Sequence, residues 1–306
     1  MKEGLFFVRR LTASMTLQQP IGEMKGGRPA MSSTGESTKG AAWAYDPAAT
    51  TYDRLLVPKV FAGPAGDLVV MLRLPSGGLA LDVGTGTGPA ALAAMESLGQ
   101  EGAVVGLDPS LEMLRLAGAN GVPRLVAGEV PGLPFPEGVF DGVFANFVLS
   151  HFANYEMALL DMVQTLRPGG RLGVTAWLVG QSEFSSAWHD VAESFISKDL
   201  LRDAVHQVIP WEEWFAEATH LRDALQDAGL TSVDIRQREY RVSMSVGEYL
   251  AYRKSSVQGR CMRQILGVPL WDRFMERTAE VFRSRFRDPV EYISTAHLAA
   301  GSRLYP

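Results

Sequence analysis

Two carboxylates set against a run of glycines are the residues best suited to chemistry. Asp82 stands near the end of the apolar run Leu79-Ala-Leu-Asp-Val and is followed by Gly84, Gly86 and Gly88; Asp108 ends a second apolar run, Val104-Val-Gly-Leu-Asp. Alternating glycines let a backbone turn tightly and approach a ligand without a Cβ clash, and a helix starting there offers unpaired N–H groups. A carboxylate placed as Asp108 is, about twenty residues beyond the last glycine, can hold ribose hydroxyls. Two cofactor classes share this arrangement. Dinucleotides set a pyrophosphate on the helix start, whereas S-adenosyl-L-methionine sets its amino-acid end on the turn. Asp82 favours the second, because an acid pairs with an ammonium and repels a pyrophosphate.

The elements that must position these residues alternate. Strands are predicted at Leu79–Val83, Val104–Asp108, Leu125–Ala127, Val139–Leu149 and Leu172–Leu178, and helices at Pro89–Leu98, Leu111–Ala117 and Tyr155–Leu166. Such alternation requires a parallel sheet covered by helices on both faces, with ligands at the carboxyl ends of the strands. A helix at Trp214–Gly229 and antiparallel strands at Val233–Val242 and Tyr292–Ala299 complete an α/β, Rossmann-like, doubly wound and mostly parallel seven-stranded sheet with helical lid insertions and an N-terminal extension.

The order of the glycine turn, Asp108, Gly128-Glu-Val-Pro-Gly-Leu-Pro-Phe-Pro-Glu and Arg167-Pro-Gly-Gly resembles the class I S-adenosylmethionine-dependent methyltransferases, in particular the ubiquinone and menaquinone biosynthesis group. The resemblance covers roughly residues 41–180. It implies that Asp82, Gly84, Thr85, Gly86 and Gly88 hold the methionine part of the cofactor, that Asp108, with Pro109 and Met113 beside it, holds the ribose, and that Gly128, Glu129 and Val130 surround the adenine. Asn146 and Phe147, after the fourth strand, are expected at the cofactor too, and Tyr45 and Tyr52 lie in a segment that resembles the family's aromatic cover. The product would be S-adenosyl-L-homocysteine. The Pro168-Gly169-Gly170 turn is expected to be structural.

The expected organisation is an extension at 1–40, a helical cofactor-covering segment at 41–75, the cofactor-binding core at 76–180, a lid insertion at 181–213, and completion of the sheet at 214–306 with a helical substrate cap at 246–288. With 29 Lys and Arg against 34 Asp and Glu, the net charge of −5 gives no general attraction to nucleic acid. The arginine-rich run Arg273–Arg287 reads as a helix that buries an apolar stripe and solvates its charges. The single cysteine, Cys261, fits a reducing cytoplasm, and no His or Cys spacing suggests a metal. No segment is expected to span a membrane. Apolar residues near the start, Leu5 to Leu11, suggest a homo-oligomer in which the extension exchanges between subunits.

Methyl transfer from a sulfonium needs chiefly an acceptor held in line and dry, with a base where the acceptor must lose a proton. His151, just beyond the fourth strand, is the leading candidate base and His206, in the insertion, a weaker one; His189 and His220 are expected in solvent and His297 in the core. Trp177, Trp188 and Trp211 are candidate walls of the substrate pocket, able to stabilise positive charge. The expected acceptor is a small apolar or aromatic metabolite of quinone-like or specialised metabolism, with C- and O-methylation both open. C-methylation of a prenylated indole alkaloid of teleocidin type is one alternative, and a nicotinamide-dependent oxidoreductase or a noncatalytic binder of the same cofactor are alternatives of other classes.

Overall fold

The computed structural model describes residues 49–178, 180 and 182–304; the expected extension at 1–40 and Tyr45 lie outside them. Seven strands form one sheet, β1 Leu79–Val83, β2 Ala103–Asp108, β3 Leu125–Ala127, β4 Phe140–Ala145, β5 Leu166–Trp177, β6 Leu230–Met244 and β7 Val290–Arg303, in the order β3-β2-β1-β4-β5-β7-β6. The first five run parallel, and β7 is antiparallel to both β5 and β6. Strand order reverses between β1 and β4. A sheet wound outward in both directions from such a point leaves a crevice at the carboxyl ends of its two central strands.

Helix α1, Ala49–Leu72, crosses one face. Pro58 sits inside its stretch Tyr52–Phe61, which has π-helical geometry; proline has no N–H for the ladder, and widening the turn accommodates that loss. α1 buries Leu68, Val69 and Leu72. A Cβ at Gly173 of β5 would stand 3.0 Å from the Leu68 and Leu72 methyls, so the missing side chain lets the helix lie close on the sheet. By length and composition α1 could cross a bilayer, against the expectation that no segment is long enough; its apolar side is spent on the sheet.

α2 Pro89–Leu98 shares this face, while α3 Leu111–Ala119 follows β2, and α4 Tyr155–Thr165 and α8 Ala218–Asp227 bury Leu159, Met162, Leu221 and Leu225 in the core of the other. α5 Glu183–Ala192, α6 Lys198–Val208 and α7 Glu212–Phe215 fill the insertion, and α9 Val246–Ser255 and α10 Val257–Arg285 lie between β6 and β7. The insertion and the later cap share one core of Phe184, Trp188, Val242, Tyr249, Met262, Phe274 and Phe282. They therefore form one helical layer. Its floor is the far end of β6 and β7, which remain paired to Met244 and Val290.

Several boundaries differ from the sequence expectation. β4 stops at Ala145, short of Leu149, because Phe147 takes a positive φ of 57° that ends extended backbone. α10 breaks at Gly267 (φ 68°, ψ 168°), as Gly267-Val-Pro269 suggests. A further break at Ser256 separates α9 from α10; Ser256 caps the new helix by accepting the Gly259 N–H.

Candidate cofactor and substrate site

The loop after β1 is built by left-handed backbone. Gly84, Gly86 and Gly88 have φ of 67°, 55° and 94°, which L side chains rarely adopt. A Cβ on Gly84 would also meet the Val148 methyls at 2.6 Å. Gly88 is the N-cap of α2, with Pro89 in the first turn, so the free amides of that helix open into the loop.

Both acids brace it. Asp108, at the tip of β2, accepts from Gly86 N–H through Oδ2 and from Ser110 N–H through Oδ1, both at 2.9 Å. Asp82 is 1% exposed and accepts the Thr85 hydroxyl through Oδ2 at 2.7 Å, while its buried Oδ1 has no hydrogen-bond partner. Burial pushes its carboxyl up to about 7, offset in part by the Thr85 hydroxyl and the Ala91 backbone N–H, with the Asp108 charge adding to the rise. An orphaned carboxylate oxygen beside a glycine cradle is the feature an ammonium group would satisfy.

An aromatic cover lies over the crevice. A Cβ on Gly86 would stand 3.7 Å from the Tyr52 ring. Tyr52 meets Phe61 at 5.0 Å, Phe61 meets Phe147 at 5.7 Å, and Phe147 stacks on Trp177 at 3.9 Å and 9°. Tyr52 and Phe147, expected at the cofactor, and Trp177, expected at the substrate, are thus brought together. Phe147 is held by Thr175, whose Oγ1 accepts the Phe147 N–H at 2.8 Å and donates to Asn146 Oδ1 at 2.9 Å. Asn120 ties α1 to the loop by donating to Asp53 Oδ1 at 2.7 Å and to the Thr87 carbonyl at 3.0 Å.

Farther from the turn, the ring of expected residues opens out. Gly128 donates its N–H to the Asp108 carbonyl at 3.2 Å, keeping 128–130 beside β2, with Glu129 and Pro109 exposed. Met113 is buried, its N–H donating to the Ser110 cap at 3.1 Å. His151 closes the short turn Leu149–His151 after β4. Burial lowers its imidazole to about 4, and the Arg260 guanidinium of α10 adds to the shift.

Three expectations come out otherwise in place. His206 is exposed on α6. Trp211 is 7% exposed and packs against Tyr155, its indole N–H donating to the Phe152 carbonyl at 2.9 Å. Trp188 is fully buried in the cap core, because α5 turns Phe184, Ala187, Trp188 and Val191 to one side. Of the remaining histidines, His189 is half-buried against Gln258 rather than solvated, His220 stacks on Trp214 at 3.5 Å, and His297 is in the core.

Thr175, Asn120 and Phe61 were not singled out by sequence, since each acts through a partner far along the chain. Ser110 could have been found: a serine followed by Leu-Glu-Met-Leu is a helix-start signature.

Comparison with known proteins agrees with this geometry. Residues 81–174 match the family model described as methyltransferase domain. A demethylmenaquinone methyltransferase of Bacillus licheniformis is 34% identical over 106 residues, 33% of this chain and 46% of the relative. The chain thus spans about half the length of the curated relatives it matches. Among solved structures, the YcgJ protein of Bacillus subtilis superposes with a TM-score of 0.50 at 15% identity, covering 80% of this chain and 99% of that one. Phosphoethanolamine N-methyltransferase 2 of Haemonchus contortus, in complex with S-adenosyl-L-methionine, gives 0.51 at 15% identity, covering 85% and 57%. At such identities the likeness is one of fold. The seven-stranded sheet is of the kind typical of class I S-adenosylmethionine-dependent methyltransferases, and residues 81–174 match a methyltransferase domain.

Proposed function

We propose that the chain is an S-adenosyl-L-methionine-dependent methyltransferase that methylates a small apolar or aromatic molecule in a water-excluded chamber under the cap. The observation that carries this reading is the glycine loop whose Gly86 amide is gripped by Asp108 beneath Tyr52. Gly84, Thr85, Gly86 and Gly88 would hold the methionine end of the cofactor, with Asp82 toward its ammonium, and Asp108 would take the ribose hydroxyls. When bound, the cofactor supplies an electrophilic methyl on a sulfonium. The protein's part is then to align and dry the acceptor.

Tyr52, Phe61, Phe147 and Trp177 form the apolar wall between loop and cap. His151, neutral at physiological pH because burial holds its imidazole at about 4, is the candidate to take a proton where the acceptor must lose one. A base held so low is a weak one, so O- and C-methylation both stay open; an electron-rich carbon would need only the aromatic wall. Oligomerisation through residues 1–40 belongs to the same proposal: deleting residues 2–38 should then reduce the number of subunits in the assembly, and an unchanged assembly state would remove the exchange.

Calorimetry with S-adenosyl-L-homocysteine and with NAD is the direct test. Tight binding of the first and none of the second is expected, and preference for NAD would overturn the reading. Mass spectrometry of acceptors gaining one methyl then identifies the substrate.

A further inference from the structure

The cap holds a cation fixed from two sides. Arg253, in the last turn of α9, lays its guanidinium over the ring of the fully buried Trp188 at 4.9 Å. Its Nη2 donates to Gln258 Oε1, and the Gln258 amide in turn faces His189 Nε2 at 2.8 Å. Stacked on one side and hydrogen-bonded on another, the planar group is fixed in direction. The backbone is fixed as well, since a Cβ on Gly259 would meet the Arg253 carbonyl at 2.1 Å, so the α9–α10 elbow closes tightly only with glycine there.

Among the described residues this fixed group meets a neutral acceptor, Gln258 Oε1, but no anion. Its buried Nε has no hydrogen-bond partner, and none of the ion pairs among the described residues includes it. A half-buried guanidinium with a buried, unpartnered Nε is costly to the fold. The surrounding groups do not supply one. Tyr249, Tyr252 and Tyr292 cluster beside it, with ring centroids 6.0 Å apart for Tyr249–Tyr252 and for Tyr249–Tyr292, and burial raises all three phenols, so they stay protonated and can donate. Glu212, within electrostatic reach, is pushed toward its neutral form by burial and by Glu213, with Arg253 pulling the other way. The cap core reaches the cofactor side of the sheet at Trp177, which packs against it and stacks on Phe147.

We infer that Arg253, locked by Trp188 and Gln258, is a specificity-determining residue that binds a carboxylate carried by the methyl acceptor. This rests on the reading of the cap as the substrate side of a methyltransferase, and it narrows the acceptor to an aromatic or apolar acid. A carboxylate fits because it is planar, carries one charge against one cation, and pairs with a guanidinium edge through both oxygens.

The test is thermal unfolding of the full chain with S-adenosyl-L-homocysteine, in the presence of benzoate or benzamide, which differ in the charged group. Benzoate should raise the midpoint by about 3 °C or more at saturation and benzamide should not. Arg253→Gln should abolish the benzoate shift while leaving S-adenosyl-L-homocysteine affinity unchanged, and Arg253→Lys, keeping the charge without the fork, should retain part of it. Equal shifts from both probes, no shift from either, or a benzoate shift that survives Arg253→Gln overturns the inference and leaves the methyltransferase reading standing. Failure of S-adenosyl-L-homocysteine to bind the unaltered chain overturns both.

Discussion

At the scale of single residues, Asp82 and Asp108 divide the work of the loop. Asp108 already spends one lone pair of each oxygen on Gly86 and Ser110. Asp108→Ala should therefore lower S-adenosyl-L-homocysteine affinity at least tenfold by calorimetry and also lower the unfolding temperature. Asp82 has a folded carboxyl raised to about 7 from 3.8, so the folded chain holds an extra proton between those values and loses that contribution to stability as pH rises through about 7. An ammonium ligand needs the ionised form. Affinity should accordingly rise several-fold between pH 6 and pH 8, and Asp82→Asn should flatten that rise while stabilising the ligand-free protein at pH 8. If His151 is the base, His151→Ala should reduce kcat by about 10²–10⁴ with cofactor affinity unchanged; undiminished turnover would remove it from the chemistry. Both acids were legible in the sequence because local spacing carries their meaning. Thr175 and Arg253 were not, since a threonine that steadies Phe147 and an arginine that faces a tryptophan acquire their roles only through chain partners 28 and more residues away.

Among the elements, the strand–helix core was readable because apolar runs and punctuating glycines fix it, whereas the ends of β4, β6 and β7 depend on pairing and on one unusual backbone angle. The loop between β1 and α2 is the most exacting connection. Gly84→Ala combines a strained φ of 67° with a contact of 2.6 Å to Val148, and a loss of about 2 kcal/mol or more in chemical denaturation is expected. A second change, Val148→Ala, should restore only the part due to the clash. The covering helix and the cap are joined where Lys59 of α1 reaches Glu248 of α9 at 2.8 Å and the Ser243 carbonyl at 3.4 Å. Glu248 also completes the capping box of α9 with Ser245. Because this pair is half-exposed, Lys59→Met should cost less than about 1 kcal/mol.

For the whole molecule, the segments that sequence reading divides into an insertion at 181–213 and a cap at 246–288 form one helical layer. The division follows chain order, whereas the shared core joins Trp188 to Phe274, ring centroids 4.8 Å apart. Stability should vary with pH in two opposed ways. His151, with a folded value of about 4 against 6.5, refuses a proton that the unfolded chain accepts, so stability should fall as pH drops from about 6.5 toward 4; His151→Gln should lessen that fall in thermal scans. The sheet carries a further implication for how the chain is made. β6 pairs with β7 alone, and β7 also inserts against β5, so a ribosome releases β6 well before its neighbour exists. Until α9, α10 and β7 emerge, β6 is a long open edge awaiting its mate. Arg236, Arg238, Glu239 and Arg241 along it are charges of the kind that keep nascent edges from joining one another.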